Sequence, residues 1–185
     1  MRPHGPPAPR ALLINGTVGA GKTSVADAVG ELLGEAGVPH AVIDLDGLRR
    51  MWPSPAGDRF HFALLLRNLS SVAANYRDAG ADRIVLAGVA ETGEDRDRLR
   101  EAVGADLAVC RLRVELPVVG QRLTRRHADD PEVLRWHLDR SGELDRILDH
   151  ARTEDFTVDA THRTVVETAQ AVIEAAGWRR TAAGS

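Results

Sequence analysis

Apolar residues along this chain occur in short continuous runs, which alternate with longer stretches where apolar positions recur every three or four residues. Short apolar runs of this kind are typical of strands buried on both faces of a parallel sheet. They predict strands at residues 11–14, 41–44, 83–87, 107–114 and 156–158. The stretches with helical spacing predict helices at residues 22–35, about 59–78, 95–103, 117–126, 131–151 and 164–176.

Signals at the ends of these stretches support the predicted helices. Gly37, Gly80 and Gly104 each follow a helical stretch, where a left-handed residue commonly ends a helix. Thr164 and Glu167 have the spacing of a capping box, so the last helix is predicted to begin there. Strands that alternate with helices indicate βαβ units, which build a three-layer α/β/α fold around a five-stranded parallel sheet.

Length and charge limit what this fold can do. The 185 residues, 43% of them hydrophobic, fit a single domain with its own core, with flexible ends predicted at residues 1–10 and 179–185. Positive and negative side chains are mixed and the formal net charge is only -3, which argues against nucleic-acid or membrane binding and favours a small-molecule partner. The apolar run at residues 11–14 is too short for a signal or membrane segment, so a cytoplasmic protein is expected. Cys110 lies in an apolar run and is interpreted as a buried strand residue.

The clearest motif lies between the first predicted strand and the first predicted helix. Residues 16–23 fit the pattern G-x-x-x-x-G-K-[ST] in full, with the members Gly16, Thr17, Val18, Gly19, Ala20, Gly21, Lys22 and Thr23. Such a loop directs backbone N–H groups toward phosphate oxygens, and the helix that follows adds its positive N-terminal end. Lys22 is predicted to bridge the β- and γ-phosphates, and the Thr23 hydroxyl to bind Mg²⁺. Binding of ATP and Mg²⁺ is therefore expected.

Charged residues also follow the second predicted strand. Asp44, Asp46 and Arg49 are placed at the carboxyl edge of the sheet, where open α/β folds bind their ligands. If the strand extends through both aspartates, they face the same side, with Asp44 near the metal and Asp46 orienting or deprotonating an acceptor hydroxyl. The alternative is that both aspartates cap the next helix. Arg49 is a candidate to hold the acceptor, or a solvated arginine.

Two further residues are candidates for the acceptor side. Glu91 is the nearest carboxylate after the third strand, and two interpretations stay open, a water-mediated metal contact or an exposed loop residue. Trp52 lies in a proline-bounded loop just beyond Asp46 and is predicted to form an aromatic wall of the acceptor pocket.

A basic helix is predicted to belong to a lid of about residues 117–150. Arg122, Arg125 and Arg126 lie three and four positions apart, and therefore on one face of that helix. Guanidinium groups that close over a nucleotide stabilise the charge of phosphoryl transfer and exclude water. We expect at least one of the three to act in this way, with Arg122 and Arg126 as the catalytic candidates.

These motifs together resemble the small P-loop kinase superfamily, which includes adenylylsulphate, gluconate and shikimate kinases and chloramphenicol phosphotransferase. The likeness to adenylylsulphate kinases rests on the acceptor region and on the run that follows the third strand, at residues 44–49, 57–59, 67–69, 78–80 and 95–98. The chain has no counterpart of the long Phe/Gly-containing segment that closes over the substrate in those kinases, which argues against adenylylsulphate as the acceptor.

The end of the chain is instead similar to chloramphenicol phosphotransferase, at His150 and at residues 154–162. The resemblance implies that the loop after the last strand borders the adenine, which assigns base contacts to Ala160, Thr161 and His162. It also implies an acceptor-side aspartate at Asp46.

The expected architecture is thus a P-loop NTPase fold with sheet order 2-3-1-4-5 and a helical lid. The expected activity is transfer of the γ-phosphate of Mg-ATP to a hydroxyl of a small molecule such as an antibiotic, sugar or nucleoside, with ADP as the other product, by a monomer or homodimer. Two alternatives stay open, a nucleotide-binding regulatory protein and a toxin-like kinase that acts on a nucleotide-sugar.

Overall fold

The computed structural model describes residues 9–178, so most of the two ends predicted to be flexible lies outside the described residues. Within this part of the chain five strands and six α-helices alternate. The strands are β1 (Ala11–Asn15), β2 (His40–Asp44), β3 (Arg83–Ala87), β4 (Leu107–Arg113) and β5 (Phe156–Asp159). The helices are α1 (Lys22–Glu35), α2 (Phe62–Asp78), α3 (Gly93–Val103), α4 (Leu116–Arg126), α5 (Pro131–Ala151) and α6 (Val165–Ala175).

All five strands are parallel and form one sheet in the order β2-β3-β1-β4-β5. Ala11 of the central strand β1 is in register with Ile84 of β3 and with Leu107 of β4. Every residue of β1 is buried, which is why its sequence is apolar without alternation until Asn15. The predicted fold class and strand order are confirmed.

Two apolar cores cover the two faces of the sheet. On one face, α1 and α6 pack through Val29 and Val172 against Leu12 of β1. On the other face, α2 and α3 pack through Leu69 and Leu99 in the core that contains Leu13. This arrangement gives the three predicted layers, with the loops that follow the strands gathered at the carboxyl edge.

Cys110 of β4 is fully buried in the first of these cores, as its sequence context predicts. Burial raises the pKa of its thiol to about 12, so the residue stays protonated and unreactive.

The start of α2 differs from the prediction. Phe60 and His61 both have a left-handed backbone, with φ of 57° and 55°, so α2 begins at Phe62 after a short 3₁₀ turn. The Asp58 carboxylate accepts hydrogen bonds from the N–H groups of Ala63 and Leu64, at 2.9 and 3.0 Å, and so caps the first turn.

The predicted capping box of Thr164 and Glu167 is confirmed at the start of α6.

Among residues 9–178, no helix combines the length and the apolar character needed to cross a lipid bilayer.

Candidate functional site

The phosphate-binding loop connects β1 directly to α1, as its motif predicts. Gly19 and Gly21 have left-handed backbones with φ of 80° and 93°, a conformation that side chains other than glycine rarely adopt. A Cβ atom at Gly19 would lie 3.1 Å from side-chain atoms of Val119 and Leu123, so α4 packs closely over the loop. The loop is therefore shaped by backbone conformation on one side and by α4 on the other.

Asn15, the last residue of β1, fixes the start of this loop. Its side-chain oxygen accepts a hydrogen bond from the Gly16 N–H at 2.8 Å, and its amide nitrogen donates to the Ala90 carbonyl at 3.0 Å. Asn15 is buried, so these bonds satisfy a polar group that would otherwise be costly to bury. No local pattern indicates the role of Asn15, because its partner Ala90 lies 75 positions away.

Lys22 lies at the beginning of α1, and its ammonium group donates a hydrogen bond to the Thr17 carbonyl at 2.9 Å. Burial lowers the pKa of Lys22 from 10.5 to about 8, although the nearby carboxylates of Asp46 and Asp44 act in the opposite direction. A buried ammonium group of this kind is stabilised by a ligand that brings negative charge.

Asp44 connects the phosphate-binding loop with the acceptor side. One of its carboxylate oxygens accepts a hydrogen bond from the Thr23 hydroxyl at 3.2 Å, and the other accepts from the Asp46 N–H at 2.9 Å. The strand does not extend through both aspartates as the alternation argument required, because β2 ends at Asp44 and Asp46 has a right-handed helical backbone. The Asp46 side chain makes no helix-capping hydrogen bond and instead forms an ion pair with Arg49.

The Thr23 hydroxyl and the Asp44 carboxylate offer the hard oxygen donors that Mg²⁺ prefers. Within residues 9–178, no group of three or more His, Cys, Asp or Glu side chains is arranged to enclose a metal ion. The donor set thus fits an ion that completes its shell with phosphate oxygens and water.

Two cavities open at this edge of the sheet. The larger has a volume of about 1120 Å³ and extends from the phosphate-binding loop to the start of α2 and the middle of α5. The smaller has a volume of about 270 Å³ and lies between the phosphate-binding loop, α4 and the loop that follows β5. The predicted residues that line the larger cavity are Val18, Gly19, Gly21, Lys22, Thr23, Asp46, Arg49, Glu91 and Arg126.

The arginines of α4 differ in position. Arg122 lines the smaller cavity and donates weak hydrogen bonds to the carbonyls of Ala20 and Ala160, at 3.4 and 3.3 Å. Arg126 lines both cavities, at the boundary between them. Arg125 is exposed and is absent from both linings, so the three arginines do not act as one face.

Three predicted residues lie elsewhere than expected. The Trp52 side chain is 91% exposed and lies outside the lining of both cavities, so it forms no wall. The Thr161 side chain is buried and accepts a hydrogen bond from the Glu115 N–H at 3.2 Å, while His162 is exposed to solvent. Their neighbours Ala160 and Arg163 line the smaller cavity instead.

Aromatic side chains that the sequence did not single out line the larger cavity. Phe60 lies in the turn before α2 and Trp136 on α5, and these residues are 59% and 60% exposed. The position of Trp136 in a predicted lid was the available signal in the sequence, whereas nothing in the sequence indicated the left-handed backbone of Phe60.

Arg140 of α5 also lines this cavity and forms ion pairs with Glu91 and with Glu143. Burial opposes the charge of Arg140, but its hydrogen bonds and charge interactions with Glu143 and Glu91 outweigh burial and raise its pKa. Glu91 is therefore not a fully exposed loop residue, because its carboxylate connects the loop after β3 to α5.

A second connection to α5 comes from the phosphate-binding loop itself. The buried Thr17 hydroxyl donates a hydrogen bond of 2.5 Å to the Ser141 carbonyl, in the residue next to Arg140. The nucleotide side and the acceptor side of the site are thus both attached to the middle of one helix.

The parallel sheet in the order β2-β3-β1-β4-β5, the phosphate-binding loop after its central strand and the arginine-bearing helices over that loop define a small P-loop kinase. The chain belongs to the adenylylsulphate kinase family, whose profile matches residues 8–146. The predicted membership of the small P-loop kinase superfamily is confirmed, and the family is one of ATP-dependent kinases.

Similar proteins agree with this assignment. The chain is 30% identical over 178 residues to the bifunctional enzyme CysN/CysC of Rhodopirellula baltica, covering 90% of this chain and 26% of that protein. It thus spans about a quarter of the length of this curated relative. Among solved structures, the APS kinase CysC of Mycobacterium tuberculosis in complex with AMPPNP and APS is 26% identical, with a TM-score of 0.59 over 91% of this chain and 98% of that one. Shikimate kinase from Acinetobacter baumannii shares the fold, at 19% identity and a TM-score of 0.63 over 93% of this chain and 95% of that one.

Proposed function

We propose that this protein transfers the γ-phosphate of ATP to a hydroxyl group of a small molecule. The observation that carries the proposal is that Lys22 and Asp46 line the same cavity, close enough for the Asp46 charge to influence the pKa of Lys22. A phosphate-binding cation and a carboxylate able to accept the hydroxyl proton are thus adjacent, as in-line phosphoryl transfer requires.

The nucleotide side of the site has a consistent set of donors. Backbone N–H groups of residues 16–23 surround the phosphates, and Lys22 neutralises charge on the β- and γ-phosphate oxygens. The base fits the smaller cavity, between Arg122 and Arg163. Thr161 and His162 then support the loop that borders the base.

Mg²⁺ fits the oxygen donors of Thr23 and Asp44, and when bound with ATP it neutralises the developing charge on the phosphates. The hydrogen bond from the Asp46 N–H to Asp44 holds the acceptor carboxylate at a fixed position relative to those donors.

On the acceptor side, Asp46 orients the hydroxyl and accepts its proton as the new O–P bond forms and ADP leaves. Arg49 holds the Asp46 carboxylate by an ion pair. Arg126, which lines both cavities, stabilises charge on the transferred group in this proposal. In this proposal the protein acts in the cytoplasm, where ATP is available, as a monomer or homodimer. Its formal net charge of -3 favours a small-molecule partner over a nucleic acid.

Asp46→Asn tests this assignment. We expect the variant to bind ATP normally and to lose about 10²–10⁴-fold in acceptor-dependent ADP release, because an amide cannot accept the hydroxyl proton. Asp27→Asn is the matched control, since Asp27 is an exposed residue of α1 outside both cavity linings. Nucleotide affinity is measured by calorimetry and turnover by a coupled assay over a panel of hydroxylated compounds.

Two results would contradict the proposal. One is an Asp46→Asn variant that turns over as fast as the Asp27→Asn control. The other is ATP binding without ADP release for any acceptor of the panel, which would instead indicate a nucleotide-binding regulatory protein.

A further inference from the structure

The part of the larger cavity beyond the phosphate-binding loop, here termed the acceptor half, carries no excess of positive charge. Four guanidinium groups line it, from Arg49, Arg50, Arg126 and Arg140. Four carboxylates line the same region, from Asp46, Glu91, Asp95 and Glu143. A pocket that selects an anionic ligand usually places uncommitted arginine or lysine groups around it.

Two of these arginines are already bound to carboxylates. Arg49 forms an ion pair with Asp46, and Arg140 forms ion pairs with Glu91 and, at 2.8 Å, with Glu143. The Arg140 side chain is only 21% exposed, and therefore partly removed from water. Its positive charge is neutralised there by the two glutamates. Among the described residues of the acceptor half, Arg50 and Arg126 are the arginines without an ion pair. Both are exposed to solvent, and Arg126 also lines the smaller cavity on the nucleotide side.

Apolar and aromatic residues line much of the remaining surface of the acceptor half, together with Ser54, His61 and His137. Phe60 and Trp136 present more than half of their side-chain surface, and Phe62 and Val89 line the same space. Phe60 holds this position with a left-handed backbone, a costly conformation for a bulky residue that is commonly found at ligand sites. Aromatic faces of this kind bind rings by stacking.

From these observations we propose that the acceptor is a ring-bearing alcohol without negative charge, and that the Glu91–Arg140–Glu143 cluster sets this selectivity by neutralising Arg140. The inference rests on the proposed phosphoryl transfer and names the class of its acceptor. It separates this chain from the M. tuberculosis structure, whose bound APS is an anion.

Matched pairs of compounds that differ in charge test the proposal directly. The protein is saturated with Mg²⁺ and a non-hydrolysable ATP analogue, so that the nucleotide side is filled, and binding is measured by calorimetry. The pairs are adenosine with adenylylsulphate, uridine with its 5′-monophosphate, and a methyl glucoside with the corresponding glucuronide. We expect at least one neutral member to bind about tenfold or more tightly than its anionic partner. The proposal is overturned if the anionic members bind equally or more tightly, or if no neutral member binds.

The charge cluster is tested by freeing Arg140. In the Glu91→Gln/Glu143→Gln variant we expect adenylylsulphate to bind about tenfold or more tightly than to the unmodified protein, with adenosine nearly unchanged. Glu94→Gln is the matched control, because Glu94 is an exposed residue of α3 outside the cavity lining. Adding Arg140→Gln to the double variant should remove the gain for the anion. A gain that persists without Arg140, or no gain in a double variant that still binds the ATP analogue, would overturn the role of the cluster.

These measurements remain separate from the test of the proposed function. Selectivity is measured by binding in the presence of an unreactive ATP analogue, so it is observed whether or not phosphate is transferred. Absence of acceptor-dependent ADP release would contradict the proposed phosphoryl transfer. Tighter binding of the anions would contradict only the proposed class of acceptor.

Discussion

At the scale of single residues, Lys22 shows how one position is prepared for its ligand. Burial lowers the pKa of this lysine to about 8, and the carboxylates of Asp46 and Asp44 compensate only in part. The γ- and β-phosphates of a nucleotide would supply the missing negative charge and raise that pKa again. Nucleotide binding and proton binding at Lys22 are therefore coupled.

This coupling predicts proton uptake on nucleotide binding. At about pH 8.5, above the pKa of the free site and below that of the complex, we expect roughly half to one proton to be taken up per nucleotide. Affinity should accordingly fall as the pH rises through about 8. Calorimetry in two buffers with different ionisation enthalpies measures the uptake, and Lys22→Met should abolish it. Binding with no net proton exchange at this pH would contradict the coupling.

The sequence allowed some of the site residues to be predicted and could not indicate others. Residues 16–23 form a local motif, so spacing alone identifies them. Asp46 was predicted from strand alternation, and it lines the cavity although β2 has already ended at Asp44. Arg140 could not be predicted, because its role depends on a contact with Glu91 across 49 positions of the chain.

At the scale of elements, the close approach of β3 to the turn after β2 positions Asp46. A Cβ atom added at Gly88 would lie 2.6–2.9 Å from side-chain atoms of Leu45, which is nearly fully buried. Leu45 precedes Asp46 directly, so any displacement of its side chain also moves the acceptor carboxylate. Glycine at position 88 thus allows the two segments to pack with the carboxylate in place.

Gly88→Ala is expected to destabilise the fold by about 1–3 kcal/mol through overpacking. It should also lower turnover in the fraction that remains folded, because Asp46 is displaced. Gly142→Ala is the matched comparison, since a Cβ at this position of α5 meets no atom within 4 Å. It should raise the free energy of unfolding by about 0.5–1 kcal/mol through helix propensity. Urea denaturation measures both variants, and equal stability of the two would contradict the packing argument.

Element boundaries were predictable where they depend on local signals. α1 and α5 have the predicted bounds, and the Thr164 capping box starts α6 as expected. α2 begins three residues later than predicted, because the left-handed backbone of Phe60 and His61 interrupts an apolar pattern that continues through them. His61 is held in this conformation by a 2.8 Å hydrogen bond from its ring to the Arg49 carbonyl, a distant contact that no local pattern reveals.

At the scale of the whole molecule, α5 connects the separate parts of the site. The Thr17 hydroxyl attaches it to the phosphate-binding loop, and Glu91 attaches it to the end of β3. The buried Arg111 of β4 attaches it to the sheet by ion pairs with Asp145 at 2.9 Å and Asp149 at 2.7 Å. Nucleotide occupancy of the loop is therefore expected to change the stability of this helix.

Thr17→Val tests this connection. The replacement keeps the shape of the side chain but removes the hydrogen bond to Ser141, at a cost of about 1 kcal/mol. In the unmodified protein we expect an ATP analogue to increase hydrogen-exchange protection of the α5 amides near Ser141, and in the variant this increase should be much smaller. Thr124→Val is the control, since its hydroxyl bonds only to Gly120 within α4. If the ATP analogue increases the protection of these amides equally in Thr17→Val and Thr124→Val, the hydrogen bond from Thr17 does not couple the loop to α5.

The two halves of α5 have different surroundings. Its buried residues, Ser141, Leu144 and Leu148, lie from the middle of the helix onward, whereas Trp136 in the first half is largely exposed and lines the cavity. Substitutions at exposed positions of the first half, such as Trp136, therefore carry little penalty for folding. A protein built in this way can acquire a preference for a new compound over evolutionary time by changing one helical surface, without having to redesign the core that keeps it folded.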